Sequence, residues 1–259
     1  MKIASLLTVS ALATAMTTSG VMAANTNAVS PEQKKQFEQI IHDYLVASPE
    51  VLIEASQALQ QKQQLTQEKE AKSAISENVA QLLNGQLAVA GNPKGDVTVV
   101  EFFDYQCIHC KKMKPIMIDL VNKNSNVRVV FKEFPIFGKT SEIASRAALA
   151  AAMQGKYLPM QSALLQQDKR LDKQLVLDTA KSIGLDMAKL QLDMESKQVT
   201  AELDANRALA EKMHLMGTPA IVVLSTPVGQ FKPSSETGFI PGGATAEALQ
   251  SLVDKAAAK

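Results

Sequence analysis

The chain contains two cysteines, Cys107 and Cys110, and they stand in one short run, Cys107-Ile108-His109-Cys110. An apolar stretch, Val97-Thr98-Val99-Val100-Glu101-Phe102-Phe103, comes just before them. It is continuous rather than alternating, as expected of a strand covered on both faces. Residues 111–122 read as a helix. The pair is therefore expected on a strand-to-helix turn, with Cys107 at the helix N-terminus. Free backbone N–H groups and the positive end of the helix dipole favour a thiolate at such a place. A protonated His109 would add positive charge, and Lys111, Lys112 and Lys114 a diffuse positive field. This points to a redox-active dithiol, with Cys107 attacking and Cys110 resolving, the two able to close a disulfide.

Other uses of such a pair fit less well. A structural zinc site takes about four ligands; there is no further cysteine, and His42 and His214 lie far apart in sequence. Covalent haem attachment requires a histidine straight after the second cysteine, where Lys111 stands. A structural disulfide over so short a loop would remove little chain entropy. No metal and no organic cofactor is expected.

Residues 1–23 read as a signal peptide: Lys2 gives a positive start, Ile3 to Met16 is apolar, and Val21-Met22-Ala23 has the small-x-small form of a cleavage site. Export implies an oxidising compartment, where an isolated C-x-x-C pair suits disulfide handling better than stapling. Lys+Arg 27 against Asp+Glu 26 gives no reason to invoke nucleic acid.

Residues 24–87 are expected to form a helical segment and linker. Ser30-Pro31-Glu32-Gln33 opens a helix with a capping box, and Phe37, Ile40, Ile41, Tyr44 and Leu45 share one face. A second start, Ser48-Pro49-Glu50, leads a run free of Gly and Pro as far as Leu83, with a thin stripe of Val51, Ala55, Leu59, Leu65, Ile75, Val79 and Leu82. Two readings are open: an arm that pairs with a second copy, giving a homodimer, or a solvated helix lying on its own domain. Residues 88–96 read as a connector, 127–134 as a strand, about 141–216 as helical, 220–224 as a strand, Phe239-Ile240 as its pair and 244–257 as a terminal helix. Pro115 is expected to kink the helix that follows the cysteines. Glu101 is out of place in an apolar strand. It is either a buried carboxylate exchanging a proton with Cys110 or a side chain that reaches solvent at the strand end. Asp104 plays a related part or caps the turn.

Strand, C-x-x-C at a helix start, Pro115 five residues on, a helical insert and Gly217-Thr218-Pro219 before a hairpin resemble the thioredoxin superfamily. The run Glu101-Phe102-Phe103-Asp104-Tyr105-Gln106-Cys107-Ile108-His109-Cys110 is similar to the DsbA-type periplasmic thiol–disulfide oxidoreductases, with Ile108 where that motif typically has Pro. The resemblance implies a thioredoxin-like α/β domain over residues 88–259 with a helical insertion, carrying an N-terminal α-helical arm. It implies that Pro219 is a cis-proline facing the dithiol, with Thr218 before it. It also implies disulfide formation or isomerisation in exported, cysteine-containing clients, and a membrane redox partner of the DsbB or DsbD kind. The location implied is the periplasm, with outer-membrane or surface association as a variant. Thr218 looks more like the isomerases of the group than its strongest oxidases, and residues 30–87 resemble the dimerisation segments of periplasmic isomerases in placement. A different class remains open, a periplasmic chaperone or surface-exposed binding protein whose dithiol is incidental.

Overall fold

The computed structural model describes residues 29–84, 88–232 and 237–257. The expected signal peptide, residues 1–23, lies outside them. The chain divides into two compact units, one up to Gln60 and one from Gln61 onward.

In the first unit, α1 (Pro31–Ala47) starts as its sequence dictates: Ser30 Oγ accepts from the Gln33 amide and the Gln33 side chain accepts from the Ser30 amide, a complete capping box. None of its residues is buried. The apolar face of Phe37, Ile40, Ile41 and Tyr44 is exposed, each by more than half. The next helix, α2, spans Glu50–Leu83.

In the second unit a five-stranded sheet has the order β1-β3-β2-β4-β5. The strands are β1 (Val89–Gly91), β2 (Val97–Phe103), β3 (Val127–Glu133), β4 (Ala220–Ser225) and β5 (Gly238–Pro241). β2 runs parallel to β3 and antiparallel to β4, which places it at the centre of the sheet. Every residue of β2 and of β4 is buried, as their unbroken apolar sequences require. β1 corrects the expected connector. Its three residues are ordered by antiparallel pairing with β3. Gly91 closes it at φ +75°, where an added Cβ would lie 2.4 Å from the Val127 carbonyl oxygen, so this approach needs glycine.

Both faces of the sheet are covered. On one lie α3 (Ile108–Lys123), α9 (Ala246–Ala257) and an inserted helical group. The insertion is α4 (Lys139–Ala152), α5 (Tyr157–Leu165), α6 (Lys173–Ser182), α7 (Met187–Met194) and the start of α8 (Lys197–Lys212). α3 runs through Pro115 as one helix. On the other face Val100, Phe102, Val130, Val222 and Leu224 pack against Leu209 and Ala210 of α8 and against Ala74, Ile75 and Leu82 of α2. This revises the reading of the helical arm: the later part of its stripe is core of its own domain. Arg128 donates to the Leu83 carbonyl at 3.0 Å and Lys132 to that of Asn84, so two cations from β3 satisfy carbonyls at the end of α2. No helix among the described residues is long and apolar enough to cross a membrane.

Candidate active site

β2 ends at Phe103 and α3 begins at Ile108, and the turn between them is held by Asp104. That carboxylate is fully buried. It accepts from the Gln106 amide at 2.7 Å, the Ile136 amide at 2.8 Å, the Phe137 amide at 3.1 Å and the Ser141 hydroxyl at 2.7 Å. Asp104 therefore organises the turn and the loop after β3.

Cys107 is the N-cap residue of α3, and its side chain makes no capping bond. Both cysteines are buried free thiols. The Cys107 thiol donates to the Thr218 carbonyl oxygen at 3.2 Å. The Thr218–Pro219 bond is cis, as the resemblance implied. Residues more than a hundred positions apart thus meet because β2 and β4 are neighbours. Thr218 keeps a buried hydroxyl with no hydrogen-bond partner. Ile108 and His109 are exposed on the outer side of the first turn. Two of the three lysines expected to supply a diffuse field are tethered to neutral carbonyls: Lys111 donates to the Gln167 carbonyl at 2.5 Å and Lys114 to the Ser162 carbonyl at 3.1 Å.

Cys110 sits behind Cys107, 1% exposed. Burial pushes its thiol well above the usual range, and the nearby charges of Glu101 and Cys107 push it further. Glu101, 4% exposed, does not reach bulk solvent at the strand end. Burial raises its carboxyl to about 8. It lines a cavity of about 430 Å3 whose walls include Lys114, Met117, Phe131, Gln161 and Leu165. A carboxyl that changes protonation near neutrality, close to a thiol that must gain or lose a proton, is equipped for acid–base work.

A third buried carboxyl was not anticipated. Glu133, at the end of β3, is fully buried, and its Oε1 accepts from the Tyr105 hydroxyl at 2.7 Å and the Tyr157 hydroxyl at 2.8 Å. Its Oε2 and the Ser145 hydroxyl are left without partners. Burial outweighs the tyrosine hydrogen bonds and raises this carboxyl to about 8 as well. Phe103 and Phe131 complete an aromatic surround, with the Phe103–Tyr105 rings 5.1 Å apart and the Phe131–Tyr157 rings 6.2 Å apart. The signal that marked Glu101, an acid inside an apolar strand, applies equally to Glu133 in Val129-Val130-Phe131-Lys132-Glu133.

Comparison with known proteins agrees with this geometry. Residues 33–64 match the copper resistance protein ScsC N-terminal domain. DsbA of Bordetella parapertussis, a thiol:disulfide interchange protein, is 29% identical over 154 residues, covering 57% of this chain and 73% of that protein. The Na(+)/H(+) antiporter NhaA 3 of Salinispora tropica is 27% identical over 137 residues, and there the chain spans 21% of the relative's length. Among solved structures, a thioredoxin-like oxidoreductase from Silicibacter pomeroyi is 42% identical with a TM-score of 0.62, covering 69% of this chain and 97% of that one. BcfH of Salmonella enterica Typhimurium is 31% identical with a TM-score of 0.73, covering 87% and 96%. The DSBA-like thioredoxin domain matches residues 98–254, which hold the whole dithiol site and more than half of the sequence, and the protein belongs to that family.

Proposed function

We propose that the protein is an exported thiol–disulfide oxidoreductase that works in the periplasm on cysteine-containing clients. The observation that carries this reading is the Cys107 thiol at 3.2 Å from the Thr218 carbonyl with Cys110 buried behind it. One sulfur faces the place a client chain would occupy, and the other is reserved for internal attack. In the oxidising direction, a client thiolate attacks Cys107 of the disulfide form. The Cys107–Cys110 bond breaks, and Cys110 leaves as a thiolate that takes a proton from Glu101. A second client thiolate attacks the client sulfur held on Cys107, and Cys107 leaves as a thiolate. The client is oxidised by two electrons, and a membrane partner of the DsbB kind restores the disulfide. In the isomerising direction, reduced Cys107 attacks a wrong client disulfide, and a DsbD-like partner keeps the pair reduced.

The exposed face of α1, with Phe37, Ile40, Ile41 and Tyr44, supports self-association through the arm, for which a homodimer is the smallest assembly that covers the face. The match of residues 33–64 to the ScsC N-terminal domain agrees with a dedicated segment there. The test of the chemistry is a Cys110→Ser variant. With its resolving thiol gone, it accumulates mixed disulfides with exported proteins through Cys107, visible on a diagonal non-reducing/reducing gel. Cys107→Ser forms none. Equal adduct levels in the two variants would reject the assigned roles.

A further inference from the structure

Beside Thr218 and Pro219 a groove of about 570 Å3 runs toward α2, with walls from Glu70, Met213, Met216, Thr218, Phe239 and Pro241. A client chain joined to Cys107 by the disulfide-exchange reading lies along this groove, and we propose that Glu70 makes the site select segments carrying a lysine or arginine within a few residues of the bonded cysteine. The proposal rests on the disulfide-exchange reading and deepens it.

The position of the groove follows from the site. Thr218 both receives the Cys107 thiol and lines the groove, so a chain joined to Cys107 must pass along its edge. Two features of the groove lack partners within the protein. Met216 is 97% exposed, an apolar side chain that its own fold does not use. The Thr218 hydroxyl is buried and unpaired. An extended segment laid here would cover the exposed Met216 side chain. Most of the remaining lining is apolar. Among the described lining residues Glu70 is the one carboxylate, and His214 is the only other titratable side chain.

Glu70 is exposed, and its place on the groove wall is set by the helix that carries it. It precedes Ala71, which is buried, and one turn on Ala74 and Ile75 are core against the sheet, so the helix is anchored where it forms the groove wall. This wall comes from outside the family's domain, which begins at residue 98. The α2 segment thus adds an acidic rim to a site whose chemistry the domain already holds. An exposed carboxylate that attracts a lysine and repels a glutamate discriminates between the two by about three- to tenfold, with salt reducing the effect.

The test uses the full-length protein and a set of peptides with one mixed disulfide, in which a lysine or a glutamate is scanned over four positions on either side of the cysteine. The ratio of kcat/KM for the lysine and glutamate versions is the readout. The wild type is expected to prefer lysine by about three- to tenfold at one or two neighbouring positions. Glu70→Gln should bring the ratio there close to one, and Glu70→Lys should invert it. A ratio unchanged in both variants overturns the selective role of Glu70 and leaves disulfide exchange standing. Absence of exchange with every peptide overturns the exchange reading and this one with it.

Discussion

Replacing Glu101 with glutamine tests the proton chemistry of the site through two independent readouts. The carboxyl is raised from 4.5 to about 8 by burial. A group whose folded-state value lies above its unfolded one contributes stability that is fully present below about pH 4.5 and is lost as pH rises to about 8. At ~1.4 kcal/mol per unit, the Glu101 contribution lost across that window approaches ~5 kcal/mol, an upper figure because water in the adjoining cavity moderates burial. Glu101→Gln removes the ionisable proton at nearly constant volume. Taking ~3 kcal/mol as the realised effect and ~2–4 °C per kcal/mol for a chain of this size, the variant should melt ~6–12 °C above wild type at pH 8. At pH 4.5 the two should be within a few degrees. The wild-type curve will keep part of its slope in the variant, because Glu133 carries the same kind of term. The chemistry should move the other way, since Cys110 loses its proton partner: release of mixed disulfides by attack of Cys110 on Cys107 should slow by ~10²-fold or more near pH 7. Thermal unfolding of the reduced protein from pH 4.5 to 8.5, with stopped-flow mixed-disulfide release on the same samples, gives both numbers. A melting difference that is constant across pH would refute the claim that folded Glu101 holds its proton into the neutral range. A gain at pH 8 with release unslowed would keep the burial argument and refute the relay.

Glu133→Gln reproduces the hydrogen-bond map of a protonated acid, with a carbonyl oxygen for Tyr105 and Tyr157 and an amide that can donate to Ser145. It should melt within ~2 °C of wild type at pH 5 and above it at pH 8.5, whereas Glu133→Leu strands both tyrosine hydroxyls and should cost ~2–5 kcal/mol; equal losses in the two variants, by chemical denaturation at pH 5, would disprove a neutral Glu133. Removal of residues 24–60 should leave a folded monomer, because the second unit keeps its core, while removal of 24–87 also strips Ala74, Ile75 and Leu82 from the sheet. Burial of ~1.5–3 kcal/mol for each large side chain predicts a loss of several kcal/mol for the longer deletion alone. Light scattering and denaturant titration check both, and equal stability of the two truncations would count against the packing described for α2.

The parts of this protein that can be read from sequence are those whose local chemistry admits one environment. Val97 to Phe103 is apolar and β-rich with no polar alternation, so it can only be a covered strand, and β2 spans those residues. Ser30 and Gln33 fix the start of α1 by reciprocal bonds between neighbours. The caps inside the inserted helical region are equally local, since Asp172, Asp186 and Ser196 each accept an amide three residues on. They divide what reads as one helical stretch from 141 to 216. β1 has no such signature. Val89-Ala90-Gly91 is too short to declare itself, and its pairing with β3 comes from the partner.

The same division explains the site. The dithiol is local, and its placement at a helix start follows from the residues on either side. The environment of Glu101 is not local. Whether an acid in a strand reaches water depends on what covers the sheet, and that cover is α3 together with α5, the second supplied by an insertion more than fifty residues downstream. Glu133 needs Tyr105 from the turn before α3 and Tyr157 from the start of α5, so no window of sequence contains its partners. The helical arm carries the argument furthest. Its stripe runs with gaps from Val51 to Leu82, yet Ile75 and Leu82 are core while Leu59 and Leu65 are exposed by more than half. A stripe reports that burial is wanted, and only the packing of β2, β3 and α8 decides which part of it the chain satisfies alone. The part left over, with Leu59 and Leu65, is the exposed part, and the proposed self-association concerns it.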